Sequence, residues 1–121
     1  MPSRLIVSRE VADLLKLLAH PDRLRMIEEL RLGEKDVTGI ADALTLPATR
    51  VSQHLAQLRA HRLVDERRAG RSHFYRLSQP QLAGWILDAL PFVDVRNRLD
   101  EGEHIDSVRA LWSAQDPNTS H

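Results

Sequence analysis

Residues 45–58 read Thr45-Leu46-Pro47-Ala48-Thr49-Arg50-Val51-Ser52-Gln53-His54-Leu55-Ala56-Gln57-Leu58, and residues 63–77 run from Leu63-Val64 through Arg67-Arg68-Ala69-Gly70-Arg71 to Phe74-Tyr75-Arg76-Leu77. The two stretches differ in period. In the first, Val51, Leu55 and Leu58 recur at helical spacing, which predicts a helix from about Pro47 to Ala60 with Thr49, Arg50, Ser52, Gln53 and Gln57 turned towards solvent. In the second, alternation takes over. Leu63 to Arg68 and Ser72 to Leu77 read as two short strands around Ala69-Gly70-Arg71, with His73, Tyr75 and Leu77 on one face.

Working back from Thr45, Asp36 can cap a short helix that buries Val37, Ile40, Ala41 and Leu44, and Thr45-Leu46-Pro47 makes the turn into the next helix. Before it, His20-Pro21 opens a helix carrying Leu24, Ile27 and Leu30, for which Gly33 provides the stop. Ser8 is the expected cap of the first helix, whose stripe is Val11, Leu14, Leu15 and Leu18. Working forward, Leu82, Trp85, Ile86 and Ala89 or Leu90 form a fifth helical stripe, ended or bent near Pro91. Ile105, Val108 and Trp112 predict an extra C-terminal helix, and residues 116–121 a frayed tail.

The expected architecture is mainly α with a two-stranded β wing, in the order four helices, two strands, one helix: a winged helix-turn-helix. The 121 residues suit a single domain, with 8–90 as its core and 91–115 as a C-terminal extension. The polar outer face of the fourth helix has the short donors and acceptors that reach base edges in a major groove about 12 Å wide. The arginine-rich hairpin beside it suits phosphate or a narrow minor groove.

Charge supports this placement. The net charge is zero, yet residues 50–76 carry seven arginines (Arg50, Arg59, Arg62, Arg67, Arg68, Arg71, Arg76) against Asp65 and Glu66, a local surplus of five positive charges. A solvated arginine-rich surface would account for the charge alone; the helix spacing and the switch of period point to the same segment independently.

Other chemistries find less support. The chain has no cysteine, which excludes thiolate metal ligation, disulfide switching and sulfur-based redox sensing. His20, His54, His61 and His73 occur singly, without a nucleophile or paired carboxylate in a recognisable arrangement, so no enzymatic activity and no cofactor is expected. No apolar run approaches a membrane span, and Leu5-Ile6-Val7 is too short for a signal-peptide core; a cytoplasmic location is expected.

Leu17-Leu18-Ala19-His20-Pro21-Asp22-Arg23-Leu24-Arg25, the Val51–Leu58 helix, and the Leu63–Leu77 hairpin together resemble the ArsR/SmtB family of repressors over most of residues 14–90. The resemblance implies a homodimer whose first and last helices form the interface, bound to double-stranded operator DNA until an inducer, which the sequence does not name, releases it. It matches Ala48, Thr49, Ser52 and Gln53 to the family's base-contacting positions. The full expected DNA-binding set is Ala48, Thr49, Arg50, Ser52, Gln53, Arg67, Arg68 and Arg71; the expected dimer set is Leu14, Leu15, Leu18, Leu82, Trp85 and Ile86. His54 is open to two readings, a surface or core-edge histidine or a DNA contact.

The chain departs from the family at three places. Arg62 stands where members usually carry glycine. The thiol pair of many members falls at Asp36 and Thr38, so that metalloid site is absent, and between Gln81 and Phe92 the sole ionisable residue is Asp88, so a site on the fifth helix is not evident. Two rival functions remain: a sensor of zinc, nickel or cobalt through Glu101, Glu103, His104 and Asp106, and a small-ligand or protein-interaction module that has lost DNA binding.

Overall fold

A computed structural model describes residues 3–93. Five helices, α1 (Arg4–Leu18), α2 (Pro21–Arg31), α3 (Val37–Leu44), α4 (Ala48–Ala60) and α5 (Gln81–Leu87), accompany three strands, β1 (Lys35–Asp36), β2 (Val64–Ala69) and β3 (Ser72–Leu77), and a 3-10 turn at Leu90–Phe92. The core is built where the apolar stripes of these helices meet the base of the hairpin. Met26, Ile27, Ile40, Val51, Leu55, Leu58 and Val64 are almost fully buried there, joined by Leu17, Leu18, Leu30, Leu44, Leu77 and Ala83. Burying a large aliphatic side chain contributes about 1.5–3 kcal/mol, so this cluster fixes the outward face of α4 by fixing its inward one.

The expected two-stranded wing forms, and a third, very short strand joins its sheet. Lys35 and Asp36 pair with Tyr75 and Phe74, giving the antiparallel order β1-β3-β2. A two-residue strand is too short to show alternation, so it carries no periodic signal. The hairpin itself matches the sequence reading: Ala69 faces Ser72 across Gly70-Arg71, and Gly70 takes a φ of 63° while Arg71 stays negative, as in a type II′ turn.

Other boundaries move. α1 begins at Arg4, not after Ser8: Ser3 accepts from the Ile6 amide, while the Ser8 hydroxyl lies inside the helix and donates to the Arg4 carbonyl. The inward side of α1 is Leu17 and Leu18, with Leu14 half-buried and Val11 and Leu15 exposed. Strand β2 starts at Val64, one residue after the expected Leu63. Helix α5 ends at Leu87, and the chain near Pro91 is a 3-10 turn. The expected C-terminal helix (Ile105, Val108, Trp112), the acidic group Glu101, Glu103, His104 and Asp106, and the 116–121 tail all lie outside the described residues.

Both helices of the central pair end in a left-handed cap without glycine. Thr45 (φ 55°) closes α3, with the Leu46 amide bonded to the Ala41 carbonyl, and Arg62 (φ 61°) closes α4, with the Leu63 amide bonded to the Leu58 carbonyl. Arg62 therefore adopts the geometry that glycine adopts freely, rather than a different local path. An L-residue there costs about 1–2 kcal/mol, part of which glycine returns through unfolded-chain entropy. Arg62→Gly should thus stabilise the fold by about 0.5–1 kcal/mol, raising the midpoint of thermal unfolding by a few degrees; a lower midpoint would mean that the arginine side chain itself holds the corner.

Candidate nucleic-acid interface

Because Val51, Leu55 and Leu58 are locked in the core, helical geometry turns Ala48, Thr49, Arg50, Ser52 and Gln53 outward, and all five are exposed. The N-cap of α4, Pro47, makes no side-chain capping bond. The Arg50 and Val51 amides donate to the Pro47 carbonyl, which leaves the Ala48 and Thr49 amides at the helix start to face an anion. A polar cleft of about 420 Å³ separates this face from the hairpin, with Ser52 on one wall and Arg71 and His73 on the other. Ser52 of α4 and residues of the wing thus border one concave surface.

The three wing arginines expected to contact DNA are not equivalent. Arg68 and Arg71 are exposed at the hairpin's far end. Arg67, expected beside them as a DNA contact, is engaged within the chain: it grips the Glu34 carboxylate through both Nε (3.1 and 3.2 Å) and Nη2 (2.6 Å), and its guanidinium lies 4.9 Å from the Phe74 ring centre. The contact holds the Glu34 carboxyl below its ordinary range, chiefly through the Arg67 hydrogen bond, and raises Arg67 in return. Thirty-three residues separate the pair, so local spacing gives no signal for it.

Glu66 ties the wing to α4. Its Oε2 lies 2.8 Å from His73 Nδ1 and accepts from the Tyr75 hydroxyl at 2.9 Å, and Oε1 lies 3.2 Å from Arg59 Nη1 at the end of α4. The His73 and Tyr75 hydrogen bonds, in that order, hold the Glu66 carboxyl below the usual carboxylate range; burial, then Glu66 itself, pushes the Tyr75 phenol up. A signal for this group existed: a two-residue turn at Gly70-Arg71 sets Glu66 opposite Tyr75.

The histidines do not all stand alone. His20, Asp22 and His54 converge with ligand-type atoms within 4.8 Å of one another. His54, on α4 beside Gln53, is only 7% exposed, which settles its reading as a core-edge residue. Its Nδ1 accepts from Arg23 Nε at 3.1 Å, its ring meets that of His20 edge-on at 4.4 Å, and its Nε2 lies 3.8 Å from Asp22 Oδ2. The composition suits a metal, but the hydrogen bonding does not. A neutral imidazole that accepts at Nδ1 carries its proton on Nε2 and has no lone pair left for an ion, and the adjacent guanidinium repels a cation.

The expected dimer residues sit on one side of the molecule with different exposures. Leu15 and Trp85 are 50% and 45% exposed; Leu14, Leu82 and Ile86 are half-buried; Leu18, at 4%, is already covered by the chain's own core. Leu15, Trp85 and Ile86 border an apolar groove of about 820 Å³, extended by Phe92 and Val93. Leu5, Ile6, Val7 and Val11 continue the exposed apolar surface along α1.

The profile of the bacterial regulatory protein, arsR family, matches residues 20–66, which span α2, α3, α4 and the start of the hairpin. The HTH-type transcriptional repressor SmtB of Mycobacterium tuberculosis is 41% identical over 86 residues, 68% of this chain and 64% of the relative, so the match spans somewhat less than two thirds of that protein. The transcriptional repressor PagR of Bacillus anthracis is 38% identical over 76 residues, covering 62% of this chain and 76% of the relative. Among solved structures, the homodimeric winged helix-turn-helix DNA-binding domain of Mb0332 from Mycobacterium bovis, described as a possible ArsR-family transcriptional regulator, superposes with a TM-score of 0.64 at 30% identity, over 86% of this chain and 95% of that one. The element order, the three-stranded wing and these matches agree: the chain belongs to the arsR family of bacterial regulatory proteins.

Proposed function

We propose that the protein is a homodimeric repressor that binds double-stranded operator DNA by sequence, placing α4 in the major groove and the wing on the neighbouring backbone. The observation that carries this reading is the two-sidedness of α4. Its buried face is fully committed to the core, and the opposite face offers Thr49, Ser52 and Gln53 to solvent, with Ser52 and Arg71 lining one cleft and the Arg68 side chain exposed on the same hairpin. Short hydroxyl and amide side chains read base edges, whereas guanidinium groups meet phosphate. The names of SmtB and PagR as repressors support the same reading. A dimer follows from the apolar surface of α1 and α5 and from the few bases one helix can read; two recognition helices would address half-sites about one helical turn apart, or a multiple of it. On this reading the protein works in the cytoplasm and catalyses nothing.

Selection of duplexes from a random pool by the purified protein tests the proposal. A recurring pseudo-palindrome whose affinity falls steeply with salt is the expected result; retention of no duplex at low salt would refute DNA binding and leave the protein-interaction module as the function. Because the chain has no cysteine, arsenite, persulfide or peroxide should leave the affinity for the selected duplex unchanged at doses that spare methionine and tryptophan. Specific release by arsenite, followed by electrophoretic mobility, would contradict this.

A further inference from the structure

We infer that His54 is the positioning residue of the recognition helix, holding α4 against α2 through Arg23 only while its imidazole is neutral. The inference rests on the DNA-binding reading above and adds to it a proton-sensitive joint. The geometry starts with Arg23, whose guanidinium spans three helices: Nε donates to His54 Nδ1 on α4 at 3.1 Å, and Nη1 donates to the Leu17 carbonyl at the end of α1 at 2.8 Å. An arginine stays charged and can only donate. His54 Nδ1 must therefore keep its lone pair, and the ring's one proton sits on Nε2. Among the described residues that nitrogen is buried without a hydrogen-bond partner, and at 3.8 Å the Asp22 carboxylate is too far to accept from it.

Protonating the ring would set an N–H of His54 against the N–H of Arg23, so the joint cannot remain closed. Among the described residues, the charged or titratable groups acting on His54 are His20, at the cap of α2, Arg23 and Asp22 from α2, and Arg50 from α4 itself; only Asp22 favours the imidazolium, and Arg25 shares that carboxylate at 3.8 Å. Burial, then His20 and Arg23, hold the His54 pKa below that of a free imidazole. The sign follows. Between the depressed pKa and about 6.5 the open joint binds more protons than the closed one, so the closed joint is favoured at neutral pH and is lost as pH falls below about 6.5. Ser52 and Gln53 immediately precede His54, so a pivot of α4 displaces the groups that would read bases.

The test follows the affinity for the selected duplex, and for a scrambled duplex, from pH 8 to pH 5 in the wild type and in His54→Asn, which can keep an acceptor towards Arg23 but cannot take up a proton. Below pH 6.5 the wild type should lose selected-duplex affinity by up to about tenfold per pH unit per protomer relative to the variant, while affinity for scrambled DNA should change with pH equally in both. Nitrogen chemical shifts of the wild-type His54 ring, measured without DNA, should report the Nε2–H tautomer and a pKa below 6.5; they decide the joint even if the variant does not fold. Equal pH slopes in the two proteins, an Nδ1–H tautomer, or micromolar zinc that abolishes the ring's titration would each overturn the inference. If no duplex is bound at any pH, the DNA-binding reading fails and takes the role of His54 in affinity with it, whereas tight neutral-pH binding with parallel slopes refutes only the joint.

Discussion

A protein carrying Leu15→Asp and Trp85→Asp is expected to be a folded monomer whose affinity for a two-half-site duplex has dropped at least about 100-fold. Both side chains are about half exposed in the single chain, so their replacement leaves the core around Met26, Ile27 and Leu55 intact. In a two-fold dimer each substitution occurs twice, which places four carboxylates in an apolar interface. Burying an unpaired charge costs several kcal/mol even after relaxation, more than a modest interface can offset. The loss of DNA affinity then follows from linkage: two tethered recognition helices gain about 10²–10⁴ in avidity over one. Sedimentation at micromolar concentration and the helical circular dichroism of the variant check both halves of the expectation. A variant that stays dimeric would place the interface on another face.

The second large effect separates reader from clamp. Gln53 projects from the exposed face of α4, and its amide can pair with an adenine edge through one donor and one acceptor. Gln53→Ala should cost about 1–3 kcal/mol on the selected duplex, relax the preference at one base position, and leave binding to random DNA almost unchanged. Arg71 sits in the second position of the hairpin turn. Arg71→Ala should weaken selected and random duplexes alike and reduce the salt slope by about one. Arg67→Ala provides the internal contrast, because its guanidinium is occupied by Glu34 and its removal should lower the salt slope less than the loss of Arg71. Affinities at several salt concentrations decide the assignment. If Gln53→Ala keeps full selectivity while Arg71→Ala loses it, the wing is the reader and enters an A-tract minor groove.

Much of the geometry behind the candidate interface was legible in the sequence. A residue pattern of period 3.6 states which side of a helix must be buried, and so which side is left for a partner; Val51, Leu55 and Leu58 thereby exposed Thr49, Ser52 and Gln53 by elimination. The hairpin was equally plain, because its strands alternate around a glycine that can take positive φ. The first helix was read less well. Ser3 and Ser8 are both acceptable caps in sequence, and the choice between them belongs to a helix end whose early residues touch little of the core. Leu18 illustrates a similar limit: a stripe identifies a buried face, but whether the chain's own core or a second copy covers it depends on the crossing of α1 with α2 and α5.

Local order, then, was enough for the element sequence, the turn residues and the polarity of α4, since each depends on side chains within a few positions of one another. Contacts between distant segments were not accessible that way. The Arg67–Glu34 pair, the Arg59–Glu66 ion pair and the Arg23–His54 joint each bring together side chains from separate elements, and their existence rests on packing rather than on spacing. Tertiary structure alone could show that Arg67 is held by the Glu34 carboxylate, and that a histidine next to Ser52 and Gln53 accepts from an arginine of α2, because a hydrogen bond needs two groups within about 3 Å whatever their separation along the chain.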